Sequence, residues 1–391
     1  MISRNDIDGL IYTIALSLGL AGYYFLTTMF RMDYSGIFFE IITISIVLFL
    51  IRLFFFSGIN LQELLIFCIL AAIFFMVYVY NGDNKLLFLL IFVFASKGVD
   101  YRKILKIYCY TVLFCTTITI LAALVGKIPN LIYFRNGVRR EAYGSIYPTN
   151  FAAHIFYLVL AYVTLRKWNL NLFEKVAIAG IAYIIMEKCD ARLDGYLLII
   201  LVVALVFKKS VFRTVTRFGK TLIPCIMGAL ITLAIYFSYN FSPNSTWGYM
   251  LNNVFNNRLS QGHLAFMRYP ITLFGQHISM QGMGGLSGMY HTYSEYFYID
   301  NSYIQILLIS GVLVFAIITC IYIYILVDYV NKGYIFLVIS LIFIGVSSII
   351  DEQFLMISYN IFLLSLMADK NKFVMKVNNK EKLQWKNMET V

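Results

Sequence analysis

Charged side chains are scarce in this sequence: only 13% of its 391 residues are Asp, Glu, Lys or Arg. A soluble domain carries about 25%. Apolar residues make up 61% of the chain, and the mean hydropathy is +0.78. Apolar runs of about 17 to 25 residues, the length that crosses a bilayer, recur throughout. The composition excludes a soluble protein and predicts a polytopic membrane protein.

Cysteine is also scarce, and its placement excludes its usual structural roles. There are six cysteines, and all except Cys189 fall within apolar runs, so the spacing predicts neither a disulfide framework nor a zinc site. The sequence also lacks a Walker-type phosphate loop and the glycine fingerprint of nucleotide-binding folds, so we expect no cofactor. The first apolar run is too long for a signal-peptide core, and we expect it to remain as an anchor.

The apolar runs predict an all-α fold of about twelve transmembrane helices. The transmembrane domain covers residues 1–369, and a polar, lysine-rich tail follows over residues 370–391. The predicted spans are 10–30, 37–56, 61–80, 85–96, 104–126, 151–165, 173–187, 195–207, 221–239, 303–326, 333–350 and 354–368.

The distribution of lysine and arginine predicts that both termini lie in the cytoplasm, because this orientation puts most of the 31 basic residues inside. The outer loops are then 127–150, 187–194 and 240–302. The last of these is the longest polar stretch of the chain and separates the ninth span from the tenth. It ends at Asp300, so an acid stands where water meets membrane. The net charge of +11 reflects loop topology and contact with anionic lipids, and we expect no nucleic-acid partner.

Ten basic residues fall outside in this topology, against the usual tendency, and most are arginines. Arginine presents a rigid fork of donors that binds phosphate in a bidentate way, so the outer arginines predict an anionic ligand such as a diphosphate. The alternative is that each arginine pairs with a nearby acid, and Glu141, Glu187, Asp190, Asp194 and Glu295 are available. The ten residues are Arg31, Lys85, Lys127, Arg135, Arg139, Arg140, Lys188, Arg192, Arg258 and Arg268.

Three outer segments carry short motifs at the starts of predicted spans. Residues 135–150 read RNGVRREAYGSIYPTN, with Arg, Gly and Pro-x-Asn ahead of the sixth span, and residues 191–195 read ARLDG. The third segment runs from Arg258 to DNSYIQ at residues 300–305. Together they resemble the Wzy-type polymerases and ligases of O-antigen and capsular polysaccharides, with alanine at 191 in place of the serine of a Ser-Arg motif. At the end of the third segment the ligase branch has His-Asn and polymerases often have Asp-Asn-Ser-Tyr.

The resemblance implies a GT-C-like membrane glycosyltransferase of the inverting, metal-independent kind. Its donor and acceptor would be undecaprenyl-diphosphate-linked oligosaccharides, joined into capsule, exopolysaccharide or O-antigen on the outer face of a bacterial cytoplasmic membrane. The partners would include membrane lipids and, from the same pathway, a flippase and a chain-length regulator. Aspartate in place of histidine at position 300 favours a polymerase over a ligase.

The residue types fit this chemistry. Departure of a lipid diphosphate builds negative charge that fixed cations stabilise, and arginines can do this without a metal ion. We expect Arg192 and Arg258 to be catalytic and Arg139, Arg140 and Arg268 to bind the diphosphate. Asp300 is the candidate base for the acceptor hydroxyl. Alternatively, Asp300 caps the following helix by accepting an N–H from Ser302 or Tyr303; both roles are compatible.

Other residues are secondary candidates. They are Asn150, His154, His291 as a backup base, Asn301 and Tyr303. His154 is more often a packing residue, and the histidines of the large loop lack metal-ligand spacing, so we predict no metal. The segment 247–267 places apolar residues on one helical face and is predicted to lie along the membrane surface. Asp351 and Glu352 mark the last outer turn, where they either shape a cavity rim or are solvated.

Two other functions remain open. An O-antigen-ligase-like transferase is the nearest enzymatic alternative. A lipid-linked oligosaccharide flippase, which is a transporter, is the alternative of another class. Transporters place functional charge near the bilayer midplane, within repeated halves. Here the charge lies in the outer loops, and we find no internal repeat, which favours the enzyme.

Overall fold

A computed structural model of the chain describes residues 4–135, 137–289 and 296–375, and most of these residues are helical. The elements include two short strands, β1 (Ile132–Arg135) and β2 (Val138–Glu141). The helices are α1 (Arg4–Phe25), α2 (Arg31–Phe55), α3 (Leu61–Asn81), α4 (Lys85–Ala95), α5 (Tyr101–Leu124), α6 (Pro148–Leu165), α7 (Leu172–Cys189), α8 (Arg192–Val206), α9 (Lys208–Phe218), α10 (Leu222–Tyr239), α11 (Thr246–Val254), α12 (Arg258–Arg268), α13 (Gly285–Met289), α14 (Ser302–Gln305), α15 (Gly311–Asn331) and α16 (Ile335–Ser347).

Seven helices of the described ranges are long and apolar enough to cross a membrane. They are α1, α2, α3, α5, α6, α10 and the continuous unit Ser302–Asn331, which joins α14 to α15 through a π-helix, Ile306–Ser310. The number rises to eight if α8 and α9, which are bent by 94° relative to each other, form one span. The predicted class, a mostly helical membrane protein, is confirmed. The number of spans that pass this test is lower than the twelve we predicted.

The segment 354–368, which we predicted as the twelfth span, forms no α-helix. It contains turns and the 3₁₀ helix Ile361–Leu366, and the 3₁₀ helix Gln353–Leu355 overlaps its start. Polar side chains inside the segment bond to local backbone: Asn360 Nδ2 donates to the carbonyl of Phe354 at 2.7 Å, and Ser365 Oγ donates to that of Phe362 at 2.6 Å. These bonds compete with regular helical pairing, which the apolar composition alone does not reveal.

A β-hairpin in the first large outer loop was not predicted. The strands β1 and β2 are antiparallel, with Tyr133 opposite Arg140 and Phe134 opposite Arg139. Because side chains alternate between the faces of a strand, Arg140 is buried while its neighbour Arg139 is exposed. The hairpin therefore gives two adjacent arginines different surroundings, although we had predicted the same role for both from the sequence.

The predicted surface helix over 247–267 is two helices rather than one. The helix α11 ends at Val254 and α12 begins at Arg258, and between them Asn256 and Asn257 adopt left-handed φ angles of 49° and 65°. Asparagine tolerates this conformation better than most residues. The exposed apolar side chains of α11 include Trp247 and Val254. The break places Arg258 in the first turn of a new helix.

The large loop returns to the core through a contact between two glycines. Gly275 and Gly311 have φ angles of +80° and +88°. A Cβ on Gly275 would stand 2.0 Å from the carbonyl oxygen of Ile309, and one on Gly311 would stand 2.3 Å from the Gly275 nitrogen. Only glycine permits this approach. The Gln276 N–H donates to the Ile309 carbonyl at 3.2 Å and the Val312 N–H to that of Thr272 at 3.0 Å, so the loop is fastened where the π-helix meets α15.

Near the N-terminal end of α1, a buried arginine connects three helices. Arg52 of α2 forms a bidentate ion pair with Asp8 of α1, with Nε to Oδ1 at 2.8 Å and Nη2 to Oδ2 at 3.1 Å. Its guanidinium also lies 5.0 Å from the ring centroid of Tyr12 and donates to the carbonyl of Ala95, at the end of α4. The N-terminal end of α1 and the C-terminal ends of α2 and α4 are thus held together.

Candidate functional site

Arg258 and Asp300, both in the loop 240–302 that we predicted to lie outside, form an ion pair. Arg258 Nη2 lies 3.7 Å from Asp300 Oδ2, and Arg258 Nε donates to the carbonyl oxygen of Ile350 at 3.1 Å. Both side chains are about one-fifth exposed, at 19% and 21%. Burial raises the pKa of Asp300, and the charge of Arg258 opposes this. The first and last parts of the loop therefore meet in one charged pair.

The helix cap at this point is Asn301, and the predicted capping role of Asp300 is wrong. The Asn301 side-chain oxygen accepts the N–H groups of Tyr303 at 2.9 Å and Ile304 at 3.1 Å. Because Asn301 satisfies the first turn of α14, the Asp300 carboxylate is available to Arg258. Tyr303 is a packing residue: it is buried and its hydroxyl donates to the carbonyl of Gly345 at 2.8 Å.

The turn after α16 contributes two acids that we did not include among the site residues. Asp351 is buried, and its carboxylate accepts a hydrogen bond from Ser347 Oγ at 3.3 Å. Burial raises its pKa to about 7, while Arg258 lowers it and Asp300 raises it further. Of the two predicted alternatives, a cavity rim describes this turn better than a solvated loop. An Asp-Glu pair beside an apolar run was the signal, since acids at such places are functional by default.

Glu352 is held by one of its two carboxylate oxygens. Oε2 accepts hydrogen bonds from the Tyr298 hydroxyl at 2.6 Å and from Gln305 Nε2 at 3.0 Å. Burial raises the pKa of Glu352, the two hydrogen bonds lower it, Asp300 raises it and Lys85 lowers it. Glu352 lines the larger of the two cavities described below.

The second outer segment reaches the same region through Asp194. This residue lies in the first turn of α8, is only 3% exposed, and interacts electrostatically with Asp351 and Arg258. Its Oδ1 has no hydrogen-bond partner among the described residues. Three separate stretches of chain thus bring acids to the surroundings of one arginine.

Arg192, our first catalytic candidate, bonds to a different acid. Its side chain is 54% exposed, and its Nε donates to Asp190 Oδ1 at 2.9 Å. Arg135 donates to the other oxygen of Asp190 through Nε, also at 2.9 Å. Burial opposes ionisation of Asp190, but these two arginines hold its pKa below the ordinary value. The structure thus shows Arg135 and Arg192 paired with a nearby acid, which we had given as the alternative to binding an anionic ligand.

Arg140 is the most unusual of the outer arginines because it is 1% exposed and pairs with no acid among the described residues. Nε donates to the carbonyl of Cys189 at 2.9 Å and Nη1 to the Tyr147 hydroxyl at 3.1 Å, while Nη2 has no described partner. Tyr147 also interacts electrostatically with Arg258 and Tyr296. Tyr147 therefore bonds to the hairpin and interacts electrostatically with the Arg258 cluster.

The remaining candidates have simpler surroundings. Arg139 pairs with Glu141 at 3.2 Å and is exposed, and Arg268 is exposed and lies 4.7 Å from the ring centroid of Phe297. Neither joins the Arg258 cluster. His291 lies outside the described residues. Among the residues that are described, no group of three or more His, Cys, Asp or Glu is placed to hold a metal ion.

His154 and Asn150 lie on α6 near the same aromatic side chain. His154 is fully buried, stacks on Tyr359 with ring centroids 3.9 Å apart, and its Nε2 is 2.8 Å from Thr27 Oγ1. It serves packing, as the commoner role of a histidine in such a position predicts. Asn150 Nδ2 donates to the Tyr359 hydroxyl at 3.3 Å. Asn150 also lines the cavity described next.

Two cavities adjoin the acids and Arg258. The larger, of about 1130 Å³, lies among α1, α2, α4, the π-helix and the segment 352–358, and Glu352 lines it. The smaller, of about 190 Å³, is mostly apolar and lies beside α10, α11 and α12, with Arg258 in its lining. The two cavities are lined by residues that are close in sequence. Asn301 and Ile349 line the smaller cavity, whereas Ser302 and Glu352 line the larger.

The three predicted outer segments do contact one another. Arg135 connects the hairpin to Asp190, and the Gly285 N–H donates to the carbonyl of Ile146 at 2.8 Å, joining the large loop to the first. The large loop and the last turn are further joined by the Ser302 N–H, which lies 3.2 Å from the Asp351 carbonyl oxygen. The turn after α16 is therefore a fourth segment that joins the three segments of the resemblance.

No family model, no curated protein and no solved structure matches this chain. The class that the fold defines is a mostly helical membrane protein with several apolar spans. The polar groups described above lie in its inter-helical segments and at helix ends.

Proposed function

We propose that this protein is a membrane glycosyltransferase that polymerises glycan repeat units carried on a polyprenyl diphosphate. The observation that carries the proposal is the position of Arg258. Its guanidinium pairs with Asp300 beside two further acids, and it lines the mostly apolar cavity next to α10. A cation at the end of an apolar groove matches the two halves of a lipid diphosphate.

The proposed chemistry needs a fixed positive charge where the bond breaks. As the anomeric carbon–oxygen bond of the donor opens, negative charge grows on the departing diphosphate. A partly buried arginine stabilises that charge more than an exposed one, because water screens it less. Asp300, Asp351 and Asp194 counterbalance Arg258 in the resting state and keep its side chain in place.

Arg140 supports the same function, the binding of a diphosphate. It is buried with one guanidinium nitrogen unpaired among the described residues, and a buried donor without a partner is costly to maintain. An anionic ligand oxygen would satisfy it. Tyr147 accepts a hydrogen bond from Arg140 and interacts electrostatically with Arg258, and we propose that one extended anionic group contacts both arginines.

The choice of a polymerase rests on the resemblance of residues 135–150, 191–195 and 300–305 to the Wzy-type enzymes. Aspartate at position 300 keeps a carboxylate where the ligase branch has histidine, which favours polymerase over ligase. We propose an inverting, metal-independent transfer on the outer face of a bacterial cytoplasmic membrane, using undecaprenyl-diphosphate-linked donor and acceptor. The proposed partners from the same pathway are a flippase and a chain-length regulator.

One observation favours a lipid-linked oligosaccharide flippase as a second candidate. The cavity of about 1130 Å³ is large enough for several sugar rings and has a mixed polar and apolar lining. Ligand pockets are typically about 300 to 1,000 Å³. A flippase, however, would not require a buried arginine with three acids at one end of the molecule.

Deletion of the gene, followed by sizing of the surface glycan, separates these functions. A polymerase deletion leaves single repeat units at the surface. Long chains that are not attached to their final acceptor would indicate a ligase, and intermediates trapped inside the cell would indicate a flippase. Wild-type chain length and attachment in the deletion strain would overturn all three. Purified protein in vesicles with a synthetic lipid-linked repeat unit should then form oligomers without any other protein.

A further inference from the structure

Glu352 has the arrangement of a general base rather than of a structural acid. Both of its hydrogen-bond donors, Tyr298 and Gln305, bond to the same oxygen, Oε2. Within the described ranges no group donates to Oε1. Two bonds fix the orientation of the carboxylate, its second oxygen accepts no hydrogen bond from the described residues, and Glu352 lines the larger cavity. A positioned carboxylate with one free oxygen is able to accept a proton.

The larger cavity has the lining that a glycan requires. Sugar hydroxyls need both donors and acceptors, and several elements supply them around the apolar walls. The polar side chains in the lining include Arg31, Asn84, Lys85, Asn150, His277 and Gln305. A volume of about 1130 Å³ exceeds the size of a single sugar, so an oligosaccharide unit fits.

Asp300 is less suited to proton transfer, although it was the base we predicted from the sequence. Its Oδ2 lies 3.7 Å from Arg258 Nη2, and this cation favours the ionised form of Asp300. Asp300 is also absent from the lining of the larger cavity. The pair is better suited to orient Arg258 towards the smaller, apolar cavity.

We propose that Glu352 is the catalytic base and that the larger cavity holds the acceptor glycan; this rests on the proposed glycosyltransferase function. Glu352 Oε1 takes the proton of the acceptor hydroxyl as that oxygen forms a bond to the anomeric carbon of the donor. The bond from that carbon to the diphosphate oxygen breaks, and its electron pair leaves with the lipid diphosphate beside Arg258. The carboxylic acid then returns its proton to water.

The position of the two cavities agrees with such a transfer. Ser302 and Glu352 line the larger cavity, and Asn301 and Ile349, which are close to them in sequence, line the smaller. The acceptor hydroxyl and the departing diphosphate would meet at this boundary. The titratable groups that act on Glu352 are Tyr298, Asp300, Lys85 and its neighbour Asp351.

The first test compares Glu352→Gln with Glu187→Gln in purified protein given a lipid-linked repeat unit. The two substitutions make the same chemical change, but Glu187 is exposed, lines neither cavity and forms no ion pair with described residues. We expect Glu352→Gln to lower kcat by about 100-fold or more with little change in KM for the donor, the usual scale of general-base catalysis. Glu187→Gln should keep the wild-type rate.

Results of two kinds would count against the proposal, and they are distinguishable. If wild-type protein polymerises and Glu352→Gln retains its rate, Glu352 is not the base. If wild-type protein forms no oligomer and its deletion strain has normal glycan, the glycosyltransferase function itself fails, and the base assignment falls with it.

Tyr298→Phe supplies a second measurement that a purely structural role would not affect. Burial raises the pKa of Glu352, and the Tyr298 hydrogen bond lowers it. Removal of that bond should therefore move the acid limb of the kcat profile to higher pH while activity at high pH persists. An acid limb at the wild-type position, in a variant present at wild-type level in the membrane, would contradict the role of Glu352.

Discussion

Among single residues, the outer arginines divide by burial and partner in a way that their sequence positions do not show. Arg192 and Arg135 share Asp190, Arg139 has Glu141, and Arg268 lies over an aromatic ring. Only Arg258 joins the buried acids, and only Arg140 is buried without an acid partner in the described part of the chain. The sequence predicts that arginines matter on this face, but not which one, because burial depends on the hairpin and on the break before α12.

Replacement of Arg258 should therefore stop polymerisation. Arg258→Ala removes the cation from the apolar groove and leaves Asp300 and Asp351 without their counter-charge, so we expect glycan chains no longer than one repeat unit at normal protein levels. Arg258→Lys should restore only part of the activity, because a point charge lacks the fork of donors. Gel sizing of surface glycan measures both, with Lys209→Ala, an exposed inner residue, as the control. Normal chain lengths in Arg258→Ala would remove this role.

The buried acid Asp351 should make the stability of the protein depend on pH. Its folded-state pKa, about 7, lies above the ordinary value of 3.8. Such a group contributes its full stability below about pH 4 and loses it progressively as the pH rises to about 7. Asp351→Asn should consequently raise the melting temperature of the detergent-purified protein at pH 8 and change it much less at pH 4. An equal shift at both values would contradict the assigned pKa.

At the level of elements, most helices follow from apolar length, whereas the exceptions follow from local polar bonds and backbone freedom. The segment 354–368 is apolar enough for a span but contains Asn360 and Ser365, whose side chains bond to nearby carbonyls. The hairpin and the break before Arg258 depend on turn residues such as Gly137 and Asn257, with φ angles of 78° and 65°. These features are visible in sequence only as short polar interruptions.

The contact between Gly275 and Gly311 should be sensitive to a single methyl group. Gly311→Ala places a Cβ 2.3 Å from the Gly275 nitrogen at a φ of +88°, so we expect a clearly lower melting temperature and loss of activity. Gly180→Ala, in the middle of α7 with no atom within 4 Å of the new Cβ, should be neutral or slightly stabilising. Equal behaviour of the two variants in a thermal melt would mean that the loop is not fastened there.

For the whole molecule, composition alone predicts a helical membrane protein correctly, and the meeting of the outer loops follows from their shared side. The acids of the last turn, Asp351 and Glu352, were not among the predicted site residues because they belong to no recognised motif. The number of spans is less well determined, since α4 and α16 have only 11 and 13 residues and α8 bends by 94° into α9. Short helices produce weak signals in a search for runs of about 20 apolar residues.

The orientation can be tested with single introduced cysteines and a thiol reagent that does not cross membranes. Asn244→Cys, in the large loop, should be labelled in intact cells, whereas Ser210→Cys, on the basic helix α9, should be labelled only after the membrane is permeabilised. Both positions are exposed, and the unsubstituted chain gives the background. The opposite pattern would place the Arg258 cluster in the cytoplasm and overturn the proposed orientation.

Catalysis without a metal ion predicts that polymerisation by the purified protein is unaffected by a strong chelator, because arginines carry out the charge stabilisation. The measurement is the rate of oligomer formation before and after treatment, with a magnesium-dependent transferase as the positive control. A complete block that divalent ions reverse would contradict the mechanism.

The three shortest apolar helices have one further consequence. At 1.5 Å per residue, α4, α8 and α16 are about 16, 22 and 20 Å long, well below the ~30 Å thickness of the hydrocarbon layer. A charged residue lies in the first turn of α4 and of α8 and four residues beyond the C-terminal end of α16, namely Lys85, Asp194 and Asp351. If the opposite ends of the three helices reach the cytoplasmic boundary, these residues lie roughly 10 Å below the outer boundary of the hydrocarbon layer. The diphosphate of a lipid-linked sugar would then have to descend from the headgroups into this recess in order to react.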